Sequence, residues 1–117
     1  MSQNKRTIQK YLEAFAKTDH AEILSCLTDD IEWAGPAAFH TRGKDAFNKQ
    51  LENSLFVGSP TITVTRMTEE NDGIATEDSL RCASRDGRFL SAVFCDVFVM
   101  QNAKIRHLTS YVVAVKV

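Results

Sequence analysis

Asp96 stands at the centre of the run Phe94, Cys95, Asp96, Val97 and Phe98, an unusual setting for a carboxylate. If that run is a strand, alternate side chains share a face, and Asp96 lies with Leu90, Ala92, Phe94, Phe98 and Met100. Desolvation on such a face favours the neutral acid, which raises its pKa and makes the carboxyl a hydrogen-bond donor inside a pocket. The alternative is a structural ion pair with Arg81 or Arg66. Tyr11 is a second candidate donor, read either as a pocket hydroxyl or as a core residue whose hydroxyl meets a carbonyl. His40 and His107 stand alone in sequence and read first as solvated or hydrogen-bonded structural histidines. Trp33 and Phe39 flank a loop containing Pro36, which suits a pocket rim. Cys26, Cys82 and Cys95 form neither a CxxC nor a Cys/His pattern, so buried reduced thiols and no metal site are expected. No phosphate-binding loop is present in the sequence, and no cofactor is expected.

The chain that must position these groups has 117 residues, the size of one domain spanning 1–117. With 44% hydrophobic and 25% charged residues it can bury a core, which excludes a disordered chain. Fourteen basic residues against fifteen acidic ones give a net charge of −1, and no basic run exceeds Lys5 and Arg6. A nucleic-acid partner is therefore not expected. No apolar run approaches the roughly 20 residues of a membrane span, and the polar start lacks the apolar stretch of a signal peptide. A cytoplasmic location without membrane contact is the expectation.

Ile8, Tyr11, Leu12, Phe15 and Ala16 recur at helical spacing and predict a helix over about 4–17. Asp19 and Glu22 form a capping box for a short helix over about 20–27. Ile31 to Trp33 reads as a brief strand, followed by a loop running to Gly43. Phe47, Leu51 and Leu55 mark a third helix over about 44–57, stopped by Gly58 and Pro60. Thr61 to Thr68 is rich in β-branched residues, and turns are expected at 71–73, at Arg85, Asp86 and Gly87, and at 101–103. Three helices followed by four long antiparallel strands is an α+β order: a cone-shaped, curved antiparallel sheet closed by three N-terminal helices. In the strand from Phe89 to Met100 the second alternate set, with Val93, Cys95, Val97 and Val99, is also apolar. A homodimer packed through this outer sheet face is the simplest cover, the alternative being burial by the chain's own loops.

Gln9 to Leu12, Asp19, Ile23, Leu27 to Asp30, the loop to Gly43 and the third helix resemble the nuclear transport factor 2 superfamily, especially SnoaL-like proteins and ketosteroid isomerase. Arg85 to Arg88, Cys95 to Phe98, Lys104, Ile105 and Tyr111 are similar to its closing strands, so the resemblance covers nearly the whole chain. It implies a small-molecule pocket in which Tyr11 and Asp96 fall on the tyrosine and neutral aspartic acid of the isomerase oxyanion hole. The general-base aspartate falls at Ala34 or Gly35, neither of which can move a proton. His40 or Glu32 would then be the base, His40 being taken as the third catalytic residue. Trp33, Phe39, Phe94, Phe98 and Arg81 are the expected substrate-binding residues. If Glu77, Ser79 and Arg81 face the cone, Arg81 with Asp96 and Glu77 resembles the Asp-Arg-Asp chemistry of limonene epoxide hydrolase. The implied functions are an isomerase or cyclase acting on a small carbonyl or polycyclic compound, a non-catalytic binding or dimeric module, or an epoxide hydrolase or dehydratase.

Overall fold

The computed structural model describes residues 1–52, 56–84 and 86–115. Ser2 caps the first helix, α1 (Gln3–Ala16), its side chain accepting from the Lys5 amide at 3.0 Å. The helix buries Ile8, Tyr11 and Leu12 as expected from spacing, together with Ala14, while Phe15 and Ala16 of the expected stripe are half-buried. Asp19 caps α2 (His20–Ser25) by accepting from the Glu22 amide at 3.2 Å. Glu22 turns to Lys10 instead, at 3.4 Å, so only half of the capping box forms.

The strands are β1 (Leu27–Gly35), β2 (Phe39–Arg42), β3 (Phe56–Glu70), β4 (Gly73–Ser84), β5 (Phe89–Gln101) and β6 (Lys104–Val115), with α3 (Lys44–Glu52) between β2 and β3. They form one curved, unclosed sheet in the order β2-β1-β6-β5-β4-β3. The expected meander is β3 to β6, all antiparallel. Beyond it, β1 pairs parallel with β6, and β2 pairs antiparallel with β1 at the sheet edge. The segment expected to be a loop up to Gly43 thus contains a strand. β1 is longer than the brief strand expected over Ile31 to Trp33: Asp29 and Asp30 belong to it and sit exposed, where its register with β6 shifts between Leu27 and Glu32. The third helix ends at Glu52 and β3 starts at Phe56, so Gly58 and Pro60 lie within a strand; Leu55 and Arg85 fall outside the described residues.

All three helices lie toward the concave face: α1 packs on β3 and β6, and α3 on β1 and β2. The core between the layers includes Ile8, Ile23, Ile31, Phe47, Ile74, Phe98, Ile105 and Leu108. Burying each such side chain stabilises the fold by roughly 1.5–3 kcal/mol. On the two central strands, β4 turns Ile74, Thr76, Asp78, Leu80 and Cys82 inward and β5 turns Ala92, Asp96, Phe98 and Met100 inward. Tight two-residue connections supply the reversals, with Asn71 at φ 56° and Asn102 at φ 51°. Asparagine tolerates this left-handed region better than most residues.

Candidate active site

A cavity of about 450 Å3 lies between the helices and the concave sheet face. Tyr11 from α1 and Asp96 from β5 both line it. Tyr11 comes from the buried stripe of its helix, with its ring set edge-on to Phe98 at 5.7 Å. Asp96 comes from the alternation of β5 and is only 5% exposed. Trp33, Phe39, Phe94 and Leu80 add apolar wall, and the exposed Thr18, Pro36 and Ala38 mark the mouth.

Burial raises the Asp96 pKa to about 7, and the nearby Asp78 carboxylate pushes in the same direction, against a hydrogen bond from Ser110. Ser110 lies directly across from Asp96 on β6 and also accepts from the Trp33 indole Nε1 at 2.9 Å. With its oxygen engaged by the indole, the Ser110 hydroxyl proton is directed to the carboxyl, fixing one side of it. Asp96 Oδ1 is buried and has no partner among the described residues. Tyr11 titrates well above an ordinary phenol, first because it is buried and then because of Asp96. Tyr11 therefore keeps its proton at neutral pH, and Asp96 is a neutral acid below about pH 7.

The second carboxyl, Asp78, lies on the same face of β4, diagonal to Asp96, since Thr76 is the residue opposite Asp96 and Phe94 the one opposite Asp78. Asp78 accepts from the Thr76 hydroxyl at 2.6 Å, and burial raises its pKa. Sequence reading passed over it because the inward face of β4 was undetermined; the alternation of Ile74, Thr76, Leu80 and Cys82 is the signal that fixes it.

Several expected site residues stand elsewhere. Glu77 and Arg81 point to the opposite face of β4 and are exposed. Arg81 stacks on Phe89 at 4.8 Å and Arg66 pairs with Glu77 at 3.5 Å, so neither arginine meets Asp96. Arg81 is thus corrected from a cavity residue to a surface one, because β4 alternation turns it out. Phe98 is fully buried beneath Tyr11 and belongs to the core rather than the cavity wall. His40 is exposed on β2, 3.3 Å from Glu32, which also binds Arg42 and lies 3.7 Å from His107. The Arg42 hydrogen bond, followed by that of His40, lowers the Glu32 pKa. This cluster sits outside the cavity lining, and neither His40 nor Glu32 reaches Asp96 or Tyr11.

Between the two positions expected for the missing base, the structure distinguishes one. Gly35 lines the cavity, whereas Ala34 alternates to the other face of β1 with Glu32. A Cβ placed on Gly35 would lie 2.5 Å from the Phe39 ring. The turn that brings Phe39 back is closed by the Ala38 amide donating to the Gly35 carbonyl at 2.9 Å, with Ala37 at φ 64°. Pro36 pre-sets the turn's first corner. Aromatic carbon thus fills the space a carboxylate there would take. Trp33 continues that wall, stacked on Phe47 at 4.3 Å and edge-on to Phe39 at 4.8 Å, so it is a cavity wall rather than an exposed rim. His20, at the start of α2, also lines the cavity, and its Nδ1 lies 2.7 Å from Asn48 Oδ1 on α3. The capping reading of Asp19 to Glu22 hid it as helix filler.

Among the described residues no group of three or more His, Cys, Asp or Glu side chains is arranged to hold a metal ion. Cys26 and Cys82 are buried and Cys95 half-buried on the outer face, all as free thiols. No described helix is long and apolar enough to cross a membrane.

No curated protein matches the chain in sequence. In fold it is similar to an LEH-like epoxide hydrolase of M. tuberculosis, with a TM-score of 0.82 at 16% identity over 95% of this chain and 83% of that one. It is also similar to TerC, solved with polyporic acid, with a TM-score of 0.83 at 18% identity over 93% and 90% of the two chains. A protein of ketosteroid isomerase-like fold from Catenulispora acidiphila, solved with trimethylamine, gives 0.80 at 10% identity over 90% and 83%. These likenesses establish the nuclear transport factor 2-like fold. The model of the SnoaL-like domain matches residues 8–108, from the first buried turn of α1 to the centre of β6, and the chain belongs to that family.

Proposed function

We propose that the cavity takes a small, largely apolar carbonyl or polycyclic compound, and that Tyr11 and neutral Asp96 donate hydrogen bonds to its oxygen during proton transfer, isomerisation or cyclisation. The observation that carries this reading is the Asp96 carboxyl, 5% exposed, with an Oδ1 unpartnered among the described residues and a pKa of about 7, lining a cavity walled mainly by aromatic and aliphatic side chains. A buried acid without an ion-pair partner is costly to the fold and suits a donor waiting for an acceptor. As charge grows on the ligand oxygen, two preorganised donors in a low-dielectric site bind it more strongly than the starting ketone, which is the requirement for catalysis.

A purely binding role is the second reading, favoured by the Phe39 ring that occupies the space beside Gly35. An epoxide hydrolase reading built on Arg81 loses its arginine to the outer face. Related folds solved with polyporic acid and with trimethylamine support a small-molecule occupant.

The protein works as a homodimer through the outer sheet face. Val93, Val97 and Val99 are exposed there, and β6 extends the patch with Tyr111, Val113 and Val115. A contiguous apolar surface of this kind is normally covered. A cytoplasmic setting fits the three free thiols.

The site is tested with 2-naphthol, whose hydroxyl mimics an enol, by fluorescence titration at pH 6. Tyr11→Phe and Asp96→Asn should each weaken binding about tenfold or more, since each alters one hydrogen bond to a charged or strongly polar oxygen. Equal affinity in both variants and the wild type refutes the reading.

A further inference from the structure

We propose that His20 is the general base of this cavity, taking a proton from the carbon next to the ligand carbonyl. The inference rests on the reading of Tyr11 and Asp96 as donors to that carbonyl. Its own observations are separate from theirs. Among the described residues lining the cavity, His20 is the only one that carries a basic nitrogen. The inward-facing position on β1 that could have held a carboxylate is Gly35, and the Phe39 ring takes the space. Glu32 and His40 are tied to each other and to Arg42 outside the lining.

The hydrogen bond of the ring decides its tautomer. Asn48 Oδ1, a carboxamide oxygen, only accepts, so His20 Nδ1, 2.7 Å away, carries the proton. In the neutral imidazole Nε2 then has a free lone pair, and it lies on the side of the ring turned away from Asn48. Asn48 belongs to α3 and His20 to α2, so the contact also ties the two helices together and holds the ring's orientation. This is the arrangement of a base fixed through its far nitrogen by a positioning residue.

In the step itself, Nε2 takes the proton from the α-carbon, and the C–H electron pair becomes the new C=C bond. The carbonyl π pair moves onto oxygen, which accepts hydrogen bonds from Tyr11 and Asp96. The imidazolium then returns the proton, to the same carbon or, in an unsaturated ketone, to the γ-carbon, which shifts the double bond. Atoms and electrons balance without any co-reactant.

The test uses 2-tetralone, a bicyclic ketone with acidic α-hydrogens, in deuterated buffer at pH 7, with deuterium uptake followed by proton NMR. The wild type should accelerate uptake over buffer, and His20→Gln should cut the acceleration about a hundredfold or more. His20→Gln should still bind 2-naphthol through Tyr11 and Asp96, and His40→Ala should behave as wild type in both assays. Asn48→Leu should lower uptake while leaving 2-naphthol binding in place, and nitrogen NMR of the wild type should show His20 protonated at Nδ1 and not at Nε2. Undiminished uptake in His20→Gln, no uptake by a wild type that binds 2-naphthol, or an Nε2-protonated His20 each overturns the assignment and leaves the donor pair standing. A wild type that fails to bind 2-naphthol removes the donor site and this inference together. Should His20→Gln not fold, the tautomer measurement on the wild type decides alone.

Discussion

Replacing Asp96 with Asn should make the protein more stable at alkaline pH and leave it nearly unchanged in acid. Burial moves the Asp96 pKa from an ordinary 3.8 to about 7 in the folded chain. Between those values the native state holds a proton that the unfolded chain has released, so stability falls as pH rises from about 4 to about 7 and is level above. At roughly 1.4 kcal/mol per pH unit, the interval amounts to about 4 kcal/mol. Asn keeps the shape of the side chain without its titration, so Asp96→Asn should recover most of that loss at pH 8.5. With a urea dependence of roughly 1–3 kcal/mol per molar, the midpoint should rise by more than about 1 M. Trp33, the only tryptophan, reports unfolding by its fluorescence. Asp78 is also raised by burial and contributes a slope of the same sign, so Asp78→Asn should flatten what remains. Glu32 is lowered and acts in the opposite sense: its contribution is present above its ordinary pKa and is lost on acidification through the lowered one, beneath this window. A wild-type midpoint that does not move between pH 4.5 and 8.5, or an Asp96→Asn variant less stable than wild type at pH 8.5, refutes the buried neutral acid.

Ser110→Ala removes the hydrogen bond that opposes burial, so the midpoint of the pH dependence of 2-naphthol binding should move upward; a downward movement would show that Ser110 does not stabilise the carboxylate. Gly35→Asp should distort the wall, because its side chain meets the Phe39 ring, whereas Gly35→Asp with Phe39→Ala opens the space and should raise isomerisation of a β,γ-unsaturated ketone from a low wild-type rate. Failure of the double variant to exceed the wild type would refute the placement of the absent carboxylate. Val97→Lys should convert the proposed dimer to monomer in light scattering, since an unpaired charge in an apolar contact is costly; a wild type monomeric at micromolar concentration refutes the interface.

The helical stripe of α1 and the period-two alternation of β5 were readable because each repeats over many residues; the stripe puts Tyr11 inward, whereas both alternate sets of β5 are apolar, so the period groups Asp96 with Phe94 and Phe98 and the family resemblance assigns that set to the pocket. The strand β2 was not readable: it has four residues with Phe39 alone apolar, so its inside-outside alternation has too little sequence to show itself. The parallel pairing of β1 with β6 joins segments far apart in the chain, and no local pattern encodes it. Arg81 was misplaced because both alternate sets of β4 contain polar residues; burial of Thr76 and Asp78 breaks the tie in a way composition does not. His20 was hidden by proximity to a helix start, and its partner Asn48 is 28 residues away.

The Phe39 ring that abuts Gly35 is carried by the least anchored strand of the sheet. β2 has one neighbour, β1, and four register pairs with it, whereas β5 is flanked along its length on both sides. Segments opening locally do so at a free energy well below that of global unfolding. The amides of β2 should therefore exchange with solvent far earlier than those of β5, and each such opening would lift an aromatic wall off the cavity while Tyr11 on α1 and Asp96 on β5 stay in place. Access to the cavity and the proposed recognition of a ligand thus fall to parts of the fold with different stabilities: a ligand crossing this edge would meet Tyr11 and Asp96 where they already stand.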